Sequence, residues 1–244
     1  MAARGRFVTL IAVGATALVA TGCLGPTTAP PPRPVVILYG DSLAWESRSS
    51  FDWHLGPGVQ VVHRNFPGVA PCDVLPSMAA DAAFRPSAVV FEFAGNSLTP
   101  CMNGVTPATL VLRYTLDVAR ARSIFTDRGI PVFLMGAPLL PGWSFDPTPD
   151  LHAAFTALAD QHPRTSFTDA GRSVLGAQGA YTTRLPCLPG EGIAAGCVAG
   201  RITVRSPDRV HFCPAGRDPC PVWSSGAWRF GAAMAAPVRR ALGL

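Results

Sequence analysis

The sequence contains no lysine, and all 20 of its basic residues are arginines. These arginines exceed the 15 acidic residues by a formal net charge of +5, but they are scattered along the chain. No basic run is interleaved with aromatic residues, whereas a surface that binds nucleic acid concentrates positive charge in a patch or stripe. The charge distribution therefore excludes nucleic acid as an expected partner. The chain also lacks internal repeats.

Long apolar runs are also scarce, and only residues 7–20 form one of notable length. This run is uncharged, follows two arginines and is too short to span a bilayer comfortably. These features are typical of an export signal. The run leads into residues 19–23, VATGC, which resemble a bacterial lipobox although Ala20 stands where a larger aliphatic residue is usual. Cys23 is therefore the predicted lipidation site.

Residues 1–23 are accordingly predicted to be a signal peptide with a lipobox-like end. An ordinary signal peptide with a chance cysteine and an uncleaved anchor are the open alternatives. Residues 24–34, LGPTTAPPPRP, predict an extended tether, which leaves residues 35–244 for one globular domain. We expect an exported protein, either lipid-anchored at the cell membrane or located in the cell envelope or outside the cell. The lipid anchor would be its only contact with the membrane.

Cys-x-x-Cys pairs are absent, and the five histidines lack the spacing of zinc ligands. Six cysteines remain once Cys23 is set aside, and an even number in an exported chain indicates disulfides. Six cysteines allow fifteen pairings. We favour two local loops, Cys187–Cys197 and Cys213–Cys220, with Cys72–Cys101 as the longer bridge. We expect no metal and no cofactor.

Apolar runs alternate with helical patterns over most of the chain. Runs such as VVILYG and AVVFEFAG are nearly continuous in apolar residues, as strands buried on both faces of a sheet require. The predicted strands are Val35–Tyr39, Val59–Arg64, Ala88–Phe93, Ile130–Met135 and Thr165–Thr168. The predicted helices are 43–55, 73–83, 106–128, 150–161 and a last helix that starts near Ser224. This alternation predicts an α/β fold, a three-layer α/β/α sandwich with a central parallel sheet of about five strands.

Ligands of such sheets bind beyond the carboxyl ends of the strands, so the loops at that edge are of most interest. The loops after the first three strands contain GDS (40–42), NFPG (65–68) and AGNS (94–97). The long segment 179–223, rich in Gly, Pro and Cys, contains SPDRVH (206–211). Each motif alone is more often an ordinary turn or helix cap. All four in this order, at predicted strand ends or in the C-terminal loop, indicate a catalytic serine and its base.

The set of motifs resembles the SGNH hydrolases, also called the GDSL esterase and lipase superfamily. The four marks of that superfamily match Ser42, Gly68, Asn96 and His211 in order. The resemblance covers residues 35–244, and one block departs from it, because the usual Gly-x-Asn-Asp reads AGNS. The resemblance implies a flavodoxin-like SGNH hydrolase fold. It also implies an oxyanion hole made of the backbone N–H groups of Ser42 and Gly68 and the side-chain amide of Asn96.

The residue types agree with that implication, because a serine hydroxyl is a weak nucleophile and needs an adjacent base. His211 is the expected base, and a turn would bring the Asp208 carboxylate to its other ring nitrogen. Asp41 is expected to bond loop backbone and shape the turn. A Cys72–Cys101 bridge would join the two loops that hold the oxyanion donors, and Cys213–Cys220 would stiffen the loop of the base.

We therefore expect a serine esterase that hydrolyses O-acyl esters, acetyl among them, on a cell-envelope glycan or lipid. The alternatives are acyl transfer to a glycan hydroxyl through the same Ser42 intermediate, and an inactive lipoprotein that binds envelope glycan. Segments such as GVAPCDVLP resemble SGNH domains of envelope proteins in high-GC bacteria. Trp143, Phe145 and Trp223 are candidates for a wall on which a sugar stacks, with core or loop packing as the alternative for each. We expect a monomer whose partner is its acylated carbohydrate or lipid substrate.

Overall fold

The computed structural model describes residues 33–141 and 145–244. The predicted signal peptide, Cys23, most of the predicted tether and Trp143 lie outside these residues. None of the helices in the described part of the chain combines the length and apolar character that a bilayer-spanning helix requires.

Five parallel strands form the central sheet, in the order β2-β1-β3-β4-β5. Their bounds are β1 Val35–Gly40, β2 Gln60–Asn65, β3 Ala88–Glu92, β4 Val132–Met135 and β5 Thr165–Thr168. All five strands agree with the prediction to within two residues. The largest difference is at β4, because the Ile130 N–H donates to Phe125 O at the end of the preceding helix (3.1 Å). Pro131 has no N–H to add to the ladder. The strand order is that of flavodoxin-like sheets.

Between residues 33 and 244, the described segments contain five α-helices, and each begins close to its predicted start. Their bounds are α1 Ser42–Leu55, α2 Pro71–Ala83, α3 Pro107–Thr126, α4 Thr148–Asp160 and α5 Ser225–Leu242. Helix α1 begins at the serine itself, because the Asp41 carboxylate accepts from Leu43 N at 3.0 Å and caps the helix. Helix α2 begins two residues before its predicted start, at Pro71, where a missing N–H costs nothing.

The helices cover both faces of the sheet and bury two separate apolar clusters. Alternate residues of β1 serve the two sides, because side chains of a strand point in turn to opposite faces. Val36 and Leu38 belong to the cluster that α1 and α5 cover. Ile37 and Tyr39 belong to the cluster that α2, α3 and α4 cover. The predicted three-layer α/β/α sandwich is confirmed.

The C-terminal segment before α5 is less irregular than the sequence indicates. It contains a two-stranded antiparallel sheet of β6 Arg184–Pro186 and β7 Arg201–Thr203. Strands of three residues are too short to leave a periodic pattern, so sequence reasoning missed them. The three favoured disulfides, Cys72–Cys101, Cys187–Cys197 and Cys213–Cys220, are all present.

Candidate active site

The turn between β1 and α1 places a serine hydroxyl at the carboxyl edge of the sheet. Only glycine fits at position 40, because a Cβ there would collide with the side chain of Ala44 and come within 2.7 Å of the Glu92 carbonyl oxygen. Asp41 then caps the helix and leaves Ser42 as its first residue, half-buried. The backbone N–H of Ser42 has no acceptor among the residues that the structure describes, because the first turn of a helix has no internal partner for it.

His211 lies within hydrogen-bond reach of Ser42, although 169 positions separate them along the chain. Its Nε2 is 2.9 Å from Ser42 Oγ, and its Nδ1 is 2.6 Å from Asp208 Oδ2. Ser42, His211 and Asp208 therefore form a continuous hydrogen-bonded chain. This is the arrangement in which an imidazole removes a hydroxyl proton while a carboxylate orients the ring.

Asp208 also closes the turn that carries the histidine. Its Oδ1 accepts from Val210 N at 2.8 Å and from His211 N at 3.0 Å, while Oδ2 contacts the ring. Burial alone would raise the pKa of the Asp208 carboxyl, but the bonds from His211 and Val210 outweigh it and hold the pKa below its ordinary value. The carboxylate is therefore ionised at neutral pH, as an orienting group must be. One side chain therefore both closes the turn and contacts the histidine ring.

Two partly buried hydrogen bonds support the loop of His211. The guanidinium of Arg205, 1% exposed, donates to Val210 O at 2.9 Å. Glu46, one helical turn after Ser42, accepts from Phe212 N at 2.6 Å. The Cys213–Cys220 disulfide closes the chain just after Phe212. Helix α1 therefore supplies the serine and also holds the segment that carries its partner.

The predicted oxyanion donors lie in the loops after β1, β2 and β3. Gly68 has a φ of +80°, a conformation that favours glycine, and its N–H has no acceptor within the described parts of the chain. The Asn96 amide is already partly engaged, since Nδ2 donates to Asp41 Oδ2 at 2.9 Å and lies 3.4 Å from Val69 O. One N–H of Asn96 is thus bonded to Asp41. The other makes only the long contact to Val69 O, so it is available to a substrate oxygen.

Asp41 connects these loops, as expected, through backbone and side-chain bonds. It is fully buried, and its Oδ2 also accepts from Ala94 N at 2.7 Å. Burial raises the pKa of Asp41 to about 6, against the lowering effect of the bonds from Ala94, Leu43 and Asn96. The bond from Asp41 to Asn96 explains how the departure from the usual Gly-x-Asn-Asp block leaves the asparagine anchored.

Glu92, the last residue of β3, is a buried carboxyl that sequence reasoning missed. Its Oε2 accepts from Ala44 N at 3.0 Å, whereas Oε1 is buried with no partner among the described residues. Burial and the negative charge of neighbouring Asp41 raise the pKa of Glu92 well above its ordinary value. Burial and Asp41 therefore favour the uncharged form of Glu92, which lies behind the turn that carries Ser42. Its position inside an otherwise apolar strand was the signal that could have revealed it.

A cavity of about 330 Å³ opens beside Ser42 and His211. Its other lining residues are Trp45, Glu46, Pro67, Ser206, Asp208, Gly216, Arg217 and Asp218. Of the candidate aromatic wall, the two described members, Phe145 and Trp223, do not line a common cavity. Phe145 lines a separate cavity of about 260 Å³, and Trp223 lies farther along, beside α5.

No protein-family model and no curated protein matches the sequence. Solved structures do match it in fold. A GDSL-like lipase from Bacteroides thetaiotaomicron has a TM-score of 0.56 at 10% identity, covering 86% of this chain and 89% of that one. A psychrotrophic esterase from Pseudoalteromonas has a TM-score of 0.52 at 11% identity, covering 86% and 99%.

The C-terminal catalytic domain of a peptidoglycan O-acetyltransferase from Streptococcus pneumoniae has a TM-score of 0.51 at 15% identity, covering 86% of this chain and 96% of that one. These similarities extend over nearly all of the described chain, so the architecture is that of the GDSL-type esterases and lipases. The chain has the SGNH hydrolase fold.

Proposed function

We propose that this protein is a serine esterase that cleaves O-acyl esters through an acyl-enzyme on Ser42. The observation that carries the proposal is the hydrogen-bonded chain from Ser42 Oγ through His211 to Asp208, with distances of 2.9 and 2.6 Å. A fold shared with esterases agrees with this activity, but one fold can serve many functions. The proposal therefore depends on the site.

The reaction has two halves, the acylation and the deacylation of Ser42, and each residue has its own role in them. Ser42 Oγ attacks the ester carbonyl carbon while His211 Nε2 takes the hydroxyl proton. The charge that develops on the carbonyl oxygen is stabilised by the free N–H groups of Ser42 and Gly68 and by the second N–H of Asn96. His211 then returns the proton to the leaving alcohol, and the acyl group stays on Ser42. In the second half-reaction, a water oxygen attacks the acyl carbon while His211 takes a proton from the water. His211 then returns the proton to Ser42 Oγ, and the free acid leaves.

The proposed natural substrate is an O-acyl ester, acetyl among them, on a glycan or lipid of the cell envelope. Three disulfides support an oxidising compartment outside the cytoplasm, in agreement with the predicted signal peptide and lipid anchor. The catalytic cavity combines charged side chains, Arg217 and Asp218 among them, with apolar surface from Trp45 and Pro67, which suits the hydroxyls and the apolar ring faces of a sugar.

Acyl transfer to a sugar hydroxyl is the second candidate, because the same acyl-enzyme would serve it. The fold shared with a peptidoglycan O-acetyltransferase domain supports this second candidate. The intact chain of Ser42, His211 and Asp208 argues against the third alternative, an inactive glycan-binding lipoprotein.

The test is the initial rate on 4-nitrophenyl acetate for wild type and Ser42→Ala. We expect the variant to lose nearly all activity, about 10⁶-fold by analogy with a serine protease. Equal rates in the two proteins would contradict the proposal. Adding free sugars to the wild-type reaction and measuring acetylated sugar against free acetate distinguishes transfer from hydrolysis.

A further inference from the structure

One face of α1 leads away from the catalytic serine. Ser42, Trp45, Glu46, Ser49 and Trp53 follow spacings of three and four residues, so they lie on the same side of the helix. Trp53 lies eleven positions after Ser42, which corresponds to about 16 Å along the helix axis. This row of residues begins at the nucleophile and ends at Trp53, whose surface is 71% exposed.

A second wall faces this side of α1. It is formed by the Cys213–Cys220 disulfide loop, the residues that follow it and the first turns of α5. Asp218 of that loop accepts from the Trp45 indole N–H at 2.6 Å, and Trp228 of α5 packs against Trp53 with ring centroids 6.0 Å apart. The two walls therefore contact each other at Trp45 and again at Trp53.

The space between the walls is a row of adjoining cavities. The catalytic cavity shares Trp45 and Glu46 with a second cavity of about 180 Å³. The second shares Glu46 and Ser49 with a third of about 250 Å³. The third shares Trp223 and Trp228 with a fourth of about 480 Å³. The four cavities adjoin one another in a row that leads outward from Ser42, and we call this row the groove.

Three tryptophans surround the far end of this groove. The ring centroids of Trp223 and Trp228 are 5.1 Å apart, and those of Trp53 and Trp228 are 6.0 Å apart. Trp223 is 41% exposed and its indole N–H points to Glu191 Oε1 at 3.4 Å. Exposed apolar surface gathered at one place on a soluble domain marks a site of interaction. Tryptophan suits such sites, because it offers a large apolar face with a polar edge.

The middle of the groove indicates which ligand fits. Glu46, Arg48, Ser49 and Asp218 line it, so an alkyl chain would have to cover charged groups without satisfying them. Sugar hydroxyls bond such groups, and sugar rings stack on indole faces. We propose that the groove from Ser42 to the three tryptophans binds successive sugar units of an oligosaccharide chain that carries the ester. This inference rests on the proposed function and deepens it, because it makes the substrate a glycan polymer and not a small ester or a lipid.

The test compares substrates of increasing length on the full chain. Chemically O-acetylated chito-oligosaccharides of one to six units are assayed with wild type, Trp53→Ala and Trp223→Ala. We expect wild-type kcat/KM to rise with length until the groove is filled. Each tryptophan variant should lose about tenfold more on the tetrasaccharide than on the monosaccharide, mainly through KM, as the loss of one stacking contact predicts. Phe84→Ala, an equally drastic change at a side chain 79% exposed outside the groove, should match wild type at every length.

Three results would overturn the inference. The first is a kcat/KM that does not change with oligosaccharide length, and the second is a loss of kcat/KM in the tryptophan variants that is equal on short and long substrates. The third is a kcat/KM on 4-nitrophenyl esters that rises with acyl length in wild type but not in Trp53→Ala. The last would assign the groove to an alkyl chain. Calorimetric binding of the acetylated tetrasaccharide to Ser42→Ala, with and without Trp53→Ala, tests the groove even where the esterase proposal fails. Binding by Ser42→Ala that Trp53→Ala does not weaken would refute the groove alone.

Discussion

Asp208 holds His211 at two points, because one carboxylate oxygen lies 2.6 Å from the ring Nδ1 and the other accepts from the His211 backbone N–H at 3.0 Å. The Asp208 side chain thus contributes both to the position and to the ring orientation of the base. Asp208→Asn replaces the oxygen that faces Nδ1 by either an amide donor or an uncharged acceptor. We predict that kcat on 4-nitrophenyl acetate falls by roughly 10²–10³, less than the ~10⁴ of a buried triad acid, because the Asp208 side chain is half exposed. A loss of less than threefold in a variant with an unchanged circular-dichroism spectrum would remove Asp208 from the mechanism.

Asn96 is predicted to act on turnover more than on substrate binding. Its amide reaches the transition-state oxygen only while Asp41 holds the other N–H, at 2.9 Å. Asn96→Ala should lower kcat by about 10²–10³ with little change in KM. Steady-state kinetics measure this directly. A change confined to KM would place Asn96 in ground-state binding instead.

Glu92 is predicted to be protonated in the folded protein, so an amide should replace it well. Glu92→Gln keeps the acceptor for Ala44 N and stays neutral, and we expect near wild-type activity. Glu92→Ala leaves that buried N–H unsatisfied and should cost about 1–3 kcal/mol of the free energy of unfolding.

The same residue predicts a pH dependence of stability. Because the folded-state pKa of Glu92 is raised above its ordinary value of 4.5, the folded state binds more protons than the unfolded state above that pH. The contribution of Glu92 to stability is present below pH 4.5 and is lost as pH rises through the folded pKa. Glu92→Gln does not titrate, so its stability relative to wild type should increase from pH 4 to pH 7. Urea unfolding at both values measures the difference, and a decrease would show that Glu92 is ionised in the fold.

The two local disulfides are predicted to differ in their effect on catalysis. Cys213 lies two residues after His211, whereas Cys187–Cys197 closes a loop away from the catalytic cavity. Replacing either pair by serine should cost about 2–3 kcal/mol of stability. Only the Cys213→Ser/Cys220→Ser variant should also lower kcat on 4-nitrophenyl acetate at a temperature where both variants are folded. Equal kcat in the two double variants would show that the bridge does not position the base.

Much of this structure could be predicted from the sequence because its strongest signals are local. Apolar runs such as VVILYG and AVVFEFAG predict buried strands, and Pro107 and Ser224 mark helix starts that the structure confirms. The motifs containing Ser42, Gly68 and Asn96 follow strands of the parallel sheet, so the sheet itself places them at one edge. The motif containing His211 follows no strand of that sheet, and contacts such as the bond from Phe212 N to Glu46 hold it beside Ser42.

What could not be predicted depends on contacts between distant segments. Burial and the neighbouring Asp41 together raise the pKa of Glu92, and the anchoring of Asn96 also depends on Asp41. Trp53 and Trp228 come from helices at opposite ends of the chain, so neither marks a groove until α1 and α5 pack together. The strands β6 and β7 are three residues long, which is below the length at which alternation can be recognised.

Covalent labelling tests the central claim, that Ser42 is a nucleophile activated by His211, most directly. The folded protein is treated with an alkyl fluorophosphonate, and the adduct is located by intact mass and peptide mapping. We predict one adduct, on Ser42, that is absent in Ser42→Ala and forms far more slowly in His211→Gln. Stoichiometric labelling of Ser42→Ala at another residue, or an unchanged labelling rate in His211→Gln, would contradict it.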